Sequence, residues 1–467
     1  MEDKIIHIAV VPSAGYSHLF PILQFSKRLV DLYPSFQITC LIPTLGSPKS
    51  ASKSFLETLP PNITCNFLPP VNPNDLPQGS DIGAQIQLTV THSLPSIHHA
   101  LKSLTSRTPS LVALIVDTFA AEALDFAKEF NLLSYVYFPI AATTVSLSFY
   151  MPKLDEETSC EYRDLPGPIK VPGCVPLHGK DLYTPAQDRS SQVYRLMLKR
   201  IKRFFLTDGV FVNSFLEMET GPIRALSEGK YPDVYAVGPI VQTVGGDDSN
   251  WLECVDWLDT QKPCSVLFVC FGSGGTLSQE QMNELALGLE LSGHKFLWVV
   301  RPPSNEANAA YLAWKNEIDP LQFLPSGFLE RTKDQGLVVP LWAPQVKVLS
   351  HGSVGGFLSH CGWNSTLESV MQGVPLISWP LFAEQRMNAV LISEGLKVGL
   401  RPKVNENDLV ERKEVAEVIK RVMEGEEGVE FRQRMKELKE AATIALKEDG
   451  SSTKTLSEVI LKWKNLA

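Results

Sequence analysis

Trp342 to Gln385 reads WAPQVKVLSHGSVGGFLSHCGWNSTLESVMQGVPLISWPLFAEQ. Two apolar runs inside it, GGFLSH and VPLISW, each break into a polar segment that has the pattern of a helix start. The first break carries His360, Gly362, Trp363, Asn364, Ser365 and Glu368, and the second carries Glu384 and Gln385. A strand that turns tightly into a helix N-terminus offers backbone N–H groups and a positive dipole end to an anion. With tryptophans at its edges, the stretch suggests a bound ligand carrying a nucleotide.

Outward from this stretch the same alternation recurs. Ile5 to Pro12 is a near-continuous apolar run, as a parallel strand buried on both faces would be. SAGYSH follows, then a helix with Leu19, Ile22, Leu29 and Leu32 near one face and Pro21 in its first turn. A second strand is expected over Phe36 to Ile42. Strand, helix, strand opens a doubly wound α/β domain. Leu111 to Val116 ending in Asp117, Leu133 to Pro139, and Gly209 to Val212 fit the same plan. Val237 to Gln261 loses periodicity and carries paired Gly and paired Asp, the composition of a junction. Alternation resumes at Ser265 to Phe271, ending in GSGG, then at a helix over 278–293, Phe296 to Val300 and Leu337 to Leu341. Ser304 to Pro320 reads as a surface loop, and the last 50 or so residues as amphipathic helices with Glu/Lys pairs. The expected division is 1–240, a linker at 241–262, 263–445, and a closing helix at 446–467 that packs back on the first domain.

At 467 residues the chain exceeds one ordinary core. A net charge of −9 argues against nucleic acid or an anionic membrane as partner, so a phosphate ligand needs a local site. The eight cysteines are scattered without a CxxC, which gives no zinc or dithiol motif and fits a reducing, cytoplasmic setting. No apolar run approaches the length of a membrane span. In the cytosol the sequons at Asn62 and Asn364 carry no weight. Lys199, Arg200, Lys202 and Arg203, on a helix from about Gln192 to Phe205, read as a solvated face in preference to an anion site.

His18 lies just past the first strand, and Asp117 ends another. A carboxylate behind a histidine makes an oriented general base. Equally, both residues suit helix caps. There is no GxSxG for a nucleophilic serine, and GSGGTL fails the last glycine of GxGxxG, which weakens an NAD-linked oxidoreductase reading. Ser273 in that turn suits a phosphate contact or an ordinary strand-to-helix turn. Ser365-x-x-Glu368 also matches a capping box, and His360 and Trp363 also suit a core.

Together these residues resemble the signature of plant family 1, UDP-sugar-dependent glycosyltransferases: WAPQ, HCGWNSxLES, GVP, WP and AEQ are all present in order. The resemblance extends over the whole chain, through PSAGYSHLFP and GSGG, and CEYRDLPGPIKVPGCVPLHGKD is similar to the subgroup that glucosylates small phenols and monolignols. It implies the GT-B fold, two facing doubly wound domains with the active site between them. It implies an inverting transfer of glucose from UDP-glucose to a phenolic, phenylpropanoid or flavonoid-type hydroxyl, without metal or further cofactor. In that scheme Trp342 stacks on uracil, with Ala343 and Gln345 at its edge. Glu368 takes the ribose hydroxyls. His360, Asn364, Ser365 and Ser273 hold the diphosphate. The Trp363 backbone with Glu384 and Gln385 holds the sugar, and His18 with Asp117 behind it is the base. Phe119, Phe149 and Tyr183 are candidate linings of an apolar acceptor pocket, and a monomer is the default. The chain departs from the family pattern at Ser17, where glycine is usual, at Gly83, where phenol-glucosylating relatives often carry an acid, and at Glu384, where Asp is more frequent. The alternative from another class is a catalytically silent protein that binds a UDP-sugar or an aglycone.

Overall fold

The computed structural model describes residues 5–48, 50–242, 252–309 and 318–466. Its strands form two parallel sheets. The first contains β1 (Ile6–Val11), β2 (Phe36–Ile42), β3 (Ile63–Phe67), β4 (Leu111–Asp117), β5 (Leu133–Phe138), β6 (Gly209–Val212) and β7 (Asp233–Ala236), in the order β3-β2-β1-β4-β5-β6-β7. The second contains β8 (Val266–Cys270), β9 (Lys295–Val300), β10 (Gly336–Pro340), β11 (Val354–Ser359), β12 (Leu376–Ser378) and β13 (Gly399–Leu400), in the order β10-β9-β8-β11-β12-β13.

The reason for the continuous apolar runs is visible in β1. Ala9 and Val11 join the core on one face of the sheet, Ile8 and Val10 the core on the other. β8 repeats this, with Val266 and Phe268 on one side and Leu267 and Val269 on the other. Helices cover both faces, so neither face can carry polar side chains. Each sheet reverses its winding between two neighbours, β1 and β4 in the first and β8 and β11 in the second. A crevice opens beyond the carboxyl ends of such a pair, because the connecting helices depart to opposite faces.

Several local expectations are corrected. Pro21 falls inside the helix Tyr16–Leu32, past its first turn, where it removes one backbone bond. Leu32 is 40% exposed, because the helix rotates it off the buried stripe of Leu19, Ile22 and Leu29. The expected junction contains a helix, Leu252–Asp259, whose Cys254 and Leu258 pack with Val266 and Phe268 of the second sheet. The stretch 243–251 of that junction and 310–317 of the expected loop lie outside the described residues. Between β3 and β4 runs a 26-residue helix, Ile82–Arg107, that the periodicity reading left unassigned.

The halves share more than a linker. The Trp363 indole Nε1 donates to the Asn213 carbonyl at 2.6 Å, and Arg401 pairs with the buried Asp181 at 2.6 Å. The last helix, Ser451–Leu466, follows the second sheet in sequence but packs on the first. Its Trp463 is fully buried among Phe36, Tyr135 and Phe211, with its Nε1 donating to the Tyr135 hydroxyl at 3.2 Å.

Candidate active site

The carboxyl end of β1 leads into Gly15, whose φ of +107° suits glycine and lets the chain turn sharply into the helix at Tyr16. His18 is therefore in the first turn of that helix, 16% exposed at the side chain. Ser17 lies within the helix and has no left-handed backbone, so the departure from glycine there leaves the turn intact. Asp117 is the last residue of β4, the other strand of the switch point, and is fully buried. His18 Nδ1 lies 3.2 Å from Oδ1 and 3.3 Å from Oδ2 of Asp117. Asp117 also accepts from the Ser13 hydroxyl and from the Phe119 N–H, so it caps the following turn as well as facing the histidine. Burial alone would raise its pKa; His18, Ser13 and Phe119 outweigh burial and hold it below the ordinary value. With an ionised carboxylate on Nδ1, the proton belongs there and Nε2 keeps a lone pair.

The second sheet contributes three corners. In each, a non-glycine residue with left-handed φ stands immediately before the predicted contacts: Leu341 (+66°) before Trp342, Cys361 (+63°) between His360 and Gly362, and Ala383 (+54°) before Glu384. Such backbone costs energy and persists only where the surroundings impose it. At the first corner Trp342 is 39% exposed and Ala343 is buried. Gln345 opens a short helix and turns its Nε2 to Ser365 Oγ at 2.9 Å and Glu368 Oε2 at 2.6 Å.

The helix Trp363–Gln372 starts from Gly362, with no side-chain cap. Ser365 is thus its third residue, and the capping box expected of Ser365 and Glu368 does not form. Both side chains, freed from capping, meet Gln345. The first intrahelical bond runs from the Thr366 N–H to the Gly362 carbonyl, so the N–H groups of Trp363, Asn364 and Ser365 precede it. The Glu368 carboxyl is pushed up to about 7 by burial, against the bond from Gln345. Asn364 is half-buried beside it. His360 is wedged between two turns: a Cβ on Gly272 or on Gly362 would come within 2.4 Å of its ring. Burial, and then the nearby Arg301 charge, push its pKa down to about 3, so it is a neutral imidazole, with Nδ1 buried and unpartnered. Ser273, in the facing turn, is exposed.

Arg301 was missed by sequence reasoning. It follows β9 and donates to the carbonyls of Gly272 and Gly275, bracing the Ser273 turn. The available signal was a cation directly after a strand that neighbours the switch point. At the third corner Gln385 is buried and its Oε1 accepts from the N–H groups of Leu381 and Phe382, which leaves Nε2 as its remaining donor. Burial raises the Glu384 pKa, and the charge of His18, from the other half of the molecule, opposes this.

Of the candidate acceptor linings, Phe119 touches His18 edge-on at 5.1 Å between centroids. Tyr183 is buried nearby, its hydroxyl in no hydrogen bond of good geometry. Phe149 is corrected: it packs in the core against Phe205 and Tyr231. The four-residue basic face is corrected at Arg200, whose guanidinium turns inward over the Phe119 ring, 4.3 Å from its centroid. Among the described residues no helix is long and apolar enough to cross a membrane.

Two parallel, doubly wound domains closing on a crevice between their switch points define the GT-B class of glycosyltransferases. Residues 253–438 match the family model described as UDP-glucoronosyl and UDP-glucosyl transferase. The chain is 52% identical to hydroquinone glucosyltransferase of Rauvolfia serpentina, covering 98% of each chain. It is similar to Phytolacca americana UGT2 complexed with UDP-2fluoro-glucose and pterostilbene (49% identity, TM-score 0.89, 98% of this chain and 99% of that one). It is also similar to a UDP-glucosyltransferase from Polygonum tinctorium capable of glucosylating indoxyl, in complex with 3,4-dichloroaniline (48%, TM-score 0.92, 99% and 100%). The chain belongs to the plant family 1 UDP-glycosyltransferases.

Proposed function

We propose that this protein transfers glucose from UDP-glucose to the hydroxyl of a small phenolic acceptor, with inversion at the anomeric carbon. The observation that carries the reading is the His18–Asp117 pair at one switch point, with Glu384 of the other half within its electrostatic reach. The relatives that act on hydroquinone and that hold UDP-2fluoro-glucose with a stilbene support the substrate classes.

His18 Nε2 takes the proton of the acceptor hydroxyl, and Asp117 stabilises the imidazolium that forms. The acceptor oxygen bonds to the anomeric carbon from one face. The bond to the UDP oxygen breaks on the other, and its electron pair leaves with the diphosphate. That charge is met by the N–H groups at the start of the Trp363–Gln372 helix, by the side chains of Asn364 and Ser365, by Ser273, and by neutral His360 as a hydrogen-bond donor. Uracil stacks on Trp342 beside Ala343. Glu368, held with Gln345, accepts the ribose hydroxyls. Glu384, Gln385 Nε2 and the Trp363 backbone orient the sugar. These donors serve the leaving group without a metal ion. A phenol, with a pKa near about 10, needs only moderate help to ionise.

Incubation with UDP-glucose and a panel of neutral phenols, read by mass, is expected to give monoglucosides. His18→Ala should lower kcat by about 10²–10⁴-fold while UDP still binds by calorimetry. Undiminished transfer by that variant would overturn the base assignment, and no glucoside from any phenol would overturn the function.

A further inference from the structure

Arg200 is set apart by its surroundings. Its helix, Gln192–Phe204, carries Lys199, Lys202 and Arg203 toward solvent, and Arg203 pairs with Asp125. Arg200 points the other way, to the carboxyl ends of the first sheet. Its guanidinium covers the face of Phe119, the ring whose other contact is His18. One nitrogen, Nη1, donates to Oε1 of the buried Gln87 at 2.7 Å. Among the described residues no carboxylate forms an ion pair with it. Asp117 is close enough to favour its charge but is engaged by His18, Ser13 and Phe119. Burial lowers the Arg200 pKa to about 10, so the group remains a cation at neutral pH.

A buried cation ordinarily has an anion beside it. Here the compensation on hand is a ring face and an amide oxygen. Next to Arg200 lies Tyr183, whose buried hydroxyl makes no hydrogen bond of good geometry and has the Ser148 hydroxyl near it; burial raises its pKa, so it stays a donor. On the same ring Gly83 offers no side chain; a Cβ there would lie 4.0 Å from Phe119 Cε1 and 3.2 Å from Oδ1 of Asp81, a carboxylate that accepts from the Ala84 N–H as the cap of its helix. A guanidinium with donors to spare and a phenolic O–H therefore lie close together, the guanidinium on the ring that touches His18. Guanidinium matches a carboxylate in two-point geometry.

We propose that Arg200, with Tyr183, is a specificity determinant that binds a carboxylate on the acceptor, so that the preferred acceptors are phenolic acids whose hydroxyl reaches His18. This rests on the glucosyl-transfer reading above. The cation–π contact with Phe119 holds the guanidinium in place before the acceptor arrives.

The test uses the full-length enzyme with UDP-glucose and two matched pairs, 4-hydroxybenzoate and 4-hydroxycinnamate, each as free acid and methyl ester, with hydroquinone as a neutral reference. The native enzyme should prefer at least one acid to its ester. In Arg200→Gln the KM for that acid should rise roughly 10–100-fold, the loss of a charged hydrogen bond, and at least tenfold more than the KM for its ester. Arg200→Lys should recover part of the loss, and Tyr183→Phe should show a smaller acid-selective loss. Thermal unfolding of each variant reports folding; if Arg200→Gln does not fold, the Lys and Phe variants carry the comparison. Equal losses for acid and ester would mean that Arg200 only packs Phe119, and would overturn the proposal. Turnover of hydroquinone with neither acid preferred would also overturn it while leaving the transferase reading in place. Turnover of no phenol at all would remove both.

Discussion

Burial leaves Glu368 half-protonated near neutral pH, with a pKa of about 7. Its folded pKa lies above the ordinary carboxylate value, so below about pH 7 the protonated acid dominates. In the proposed site ribose hydroxyls donate to the carboxylate, so donor binding would draw the proton off. Affinity for UDP-glucose should therefore rise with pH from about 6 and level off above about 8, by at most about tenfold per unit on the rising limb. UDP-glucose is a diphosphate diester and does not itself titrate there, which makes calorimetry with it a clean readout. Glu368→Gln should flatten the profile; an unchanged slope in that variant would assign the titration elsewhere. His360 behaves oppositely. With its pKa pushed down to about 3, it contributes a neutral donor across the same range and adds no pH dependence of its own.

At the level of elements, the strand-to-helix corner is the unit from which the proposed donor site is built. Each donor corner spends backbone strain to point N–H groups and short side chains into one crevice. The Gly272 turn, which faces the His360 corner, is tightly constrained as well. Its φ of +68° and its 2.4 Å approach to the His360 ring leave no room for a methyl group. Gly272→Ala should destabilise the fold by about 1–3 kcal/mol, seen in urea unfolding. It should also raise the KM for UDP-glucose much more than the KM for the acceptor, because the turn belongs to the donor half. A shift in both KM values alike would point to general unfolding instead. Arg301 braces the same turn from β9 through two carbonyls.

Across the whole molecule, the proposed transfer needs His18 of one half and Glu384 of the other to meet at one crevice. The last helix helps to hold that arrangement, since Ser451–Leu466 leaves the second half and seals the first. Trp463→Ala should cost about 3–5 kcal/mol in denaturant unfolding, although the residue lies far in sequence from every residue of the proposed site. Leu461→Ala on the exposed side of that helix should stay within about 0.5 kcal/mol. Similar losses in both would mean that the helix is only an appendage.

Much of this was legible in the chain. Parallel strands buried on both faces must be continuously apolar, so β1, β2, β4, β5, β8 and β9 stand out within a residue or so of their ends. The donor corners are local too: strand, turn and helix start lie within ten residues, so spacing alone gathers Trp363, Asn364, Ser365 and Glu368. Local patterns also misled. Ser365 and Glu368 have the spacing of a capping box, but the helix starts three residues earlier, at Gly362. Phe149 and Arg200 were misjudged because a helix residue's direction depends on which neighbour its helix packs against, and periodicity carries no such information. The pairing of His18 with Asp117, 99 residues on, needed β1 and β4 to lie side by side. The wedge of His360 against Gly272, the brace from Arg301 and the inward turn of Arg200 are long-range contacts. Composition and spacing specify which segments become strands and corners, because backbone hydrogen bonding and burial act over short distances. The meeting of the two halves, and the pairing that makes His18 a candidate base, exist only once the sheets are wound, because side chains distant in sequence come within a few ångströms through packing alone.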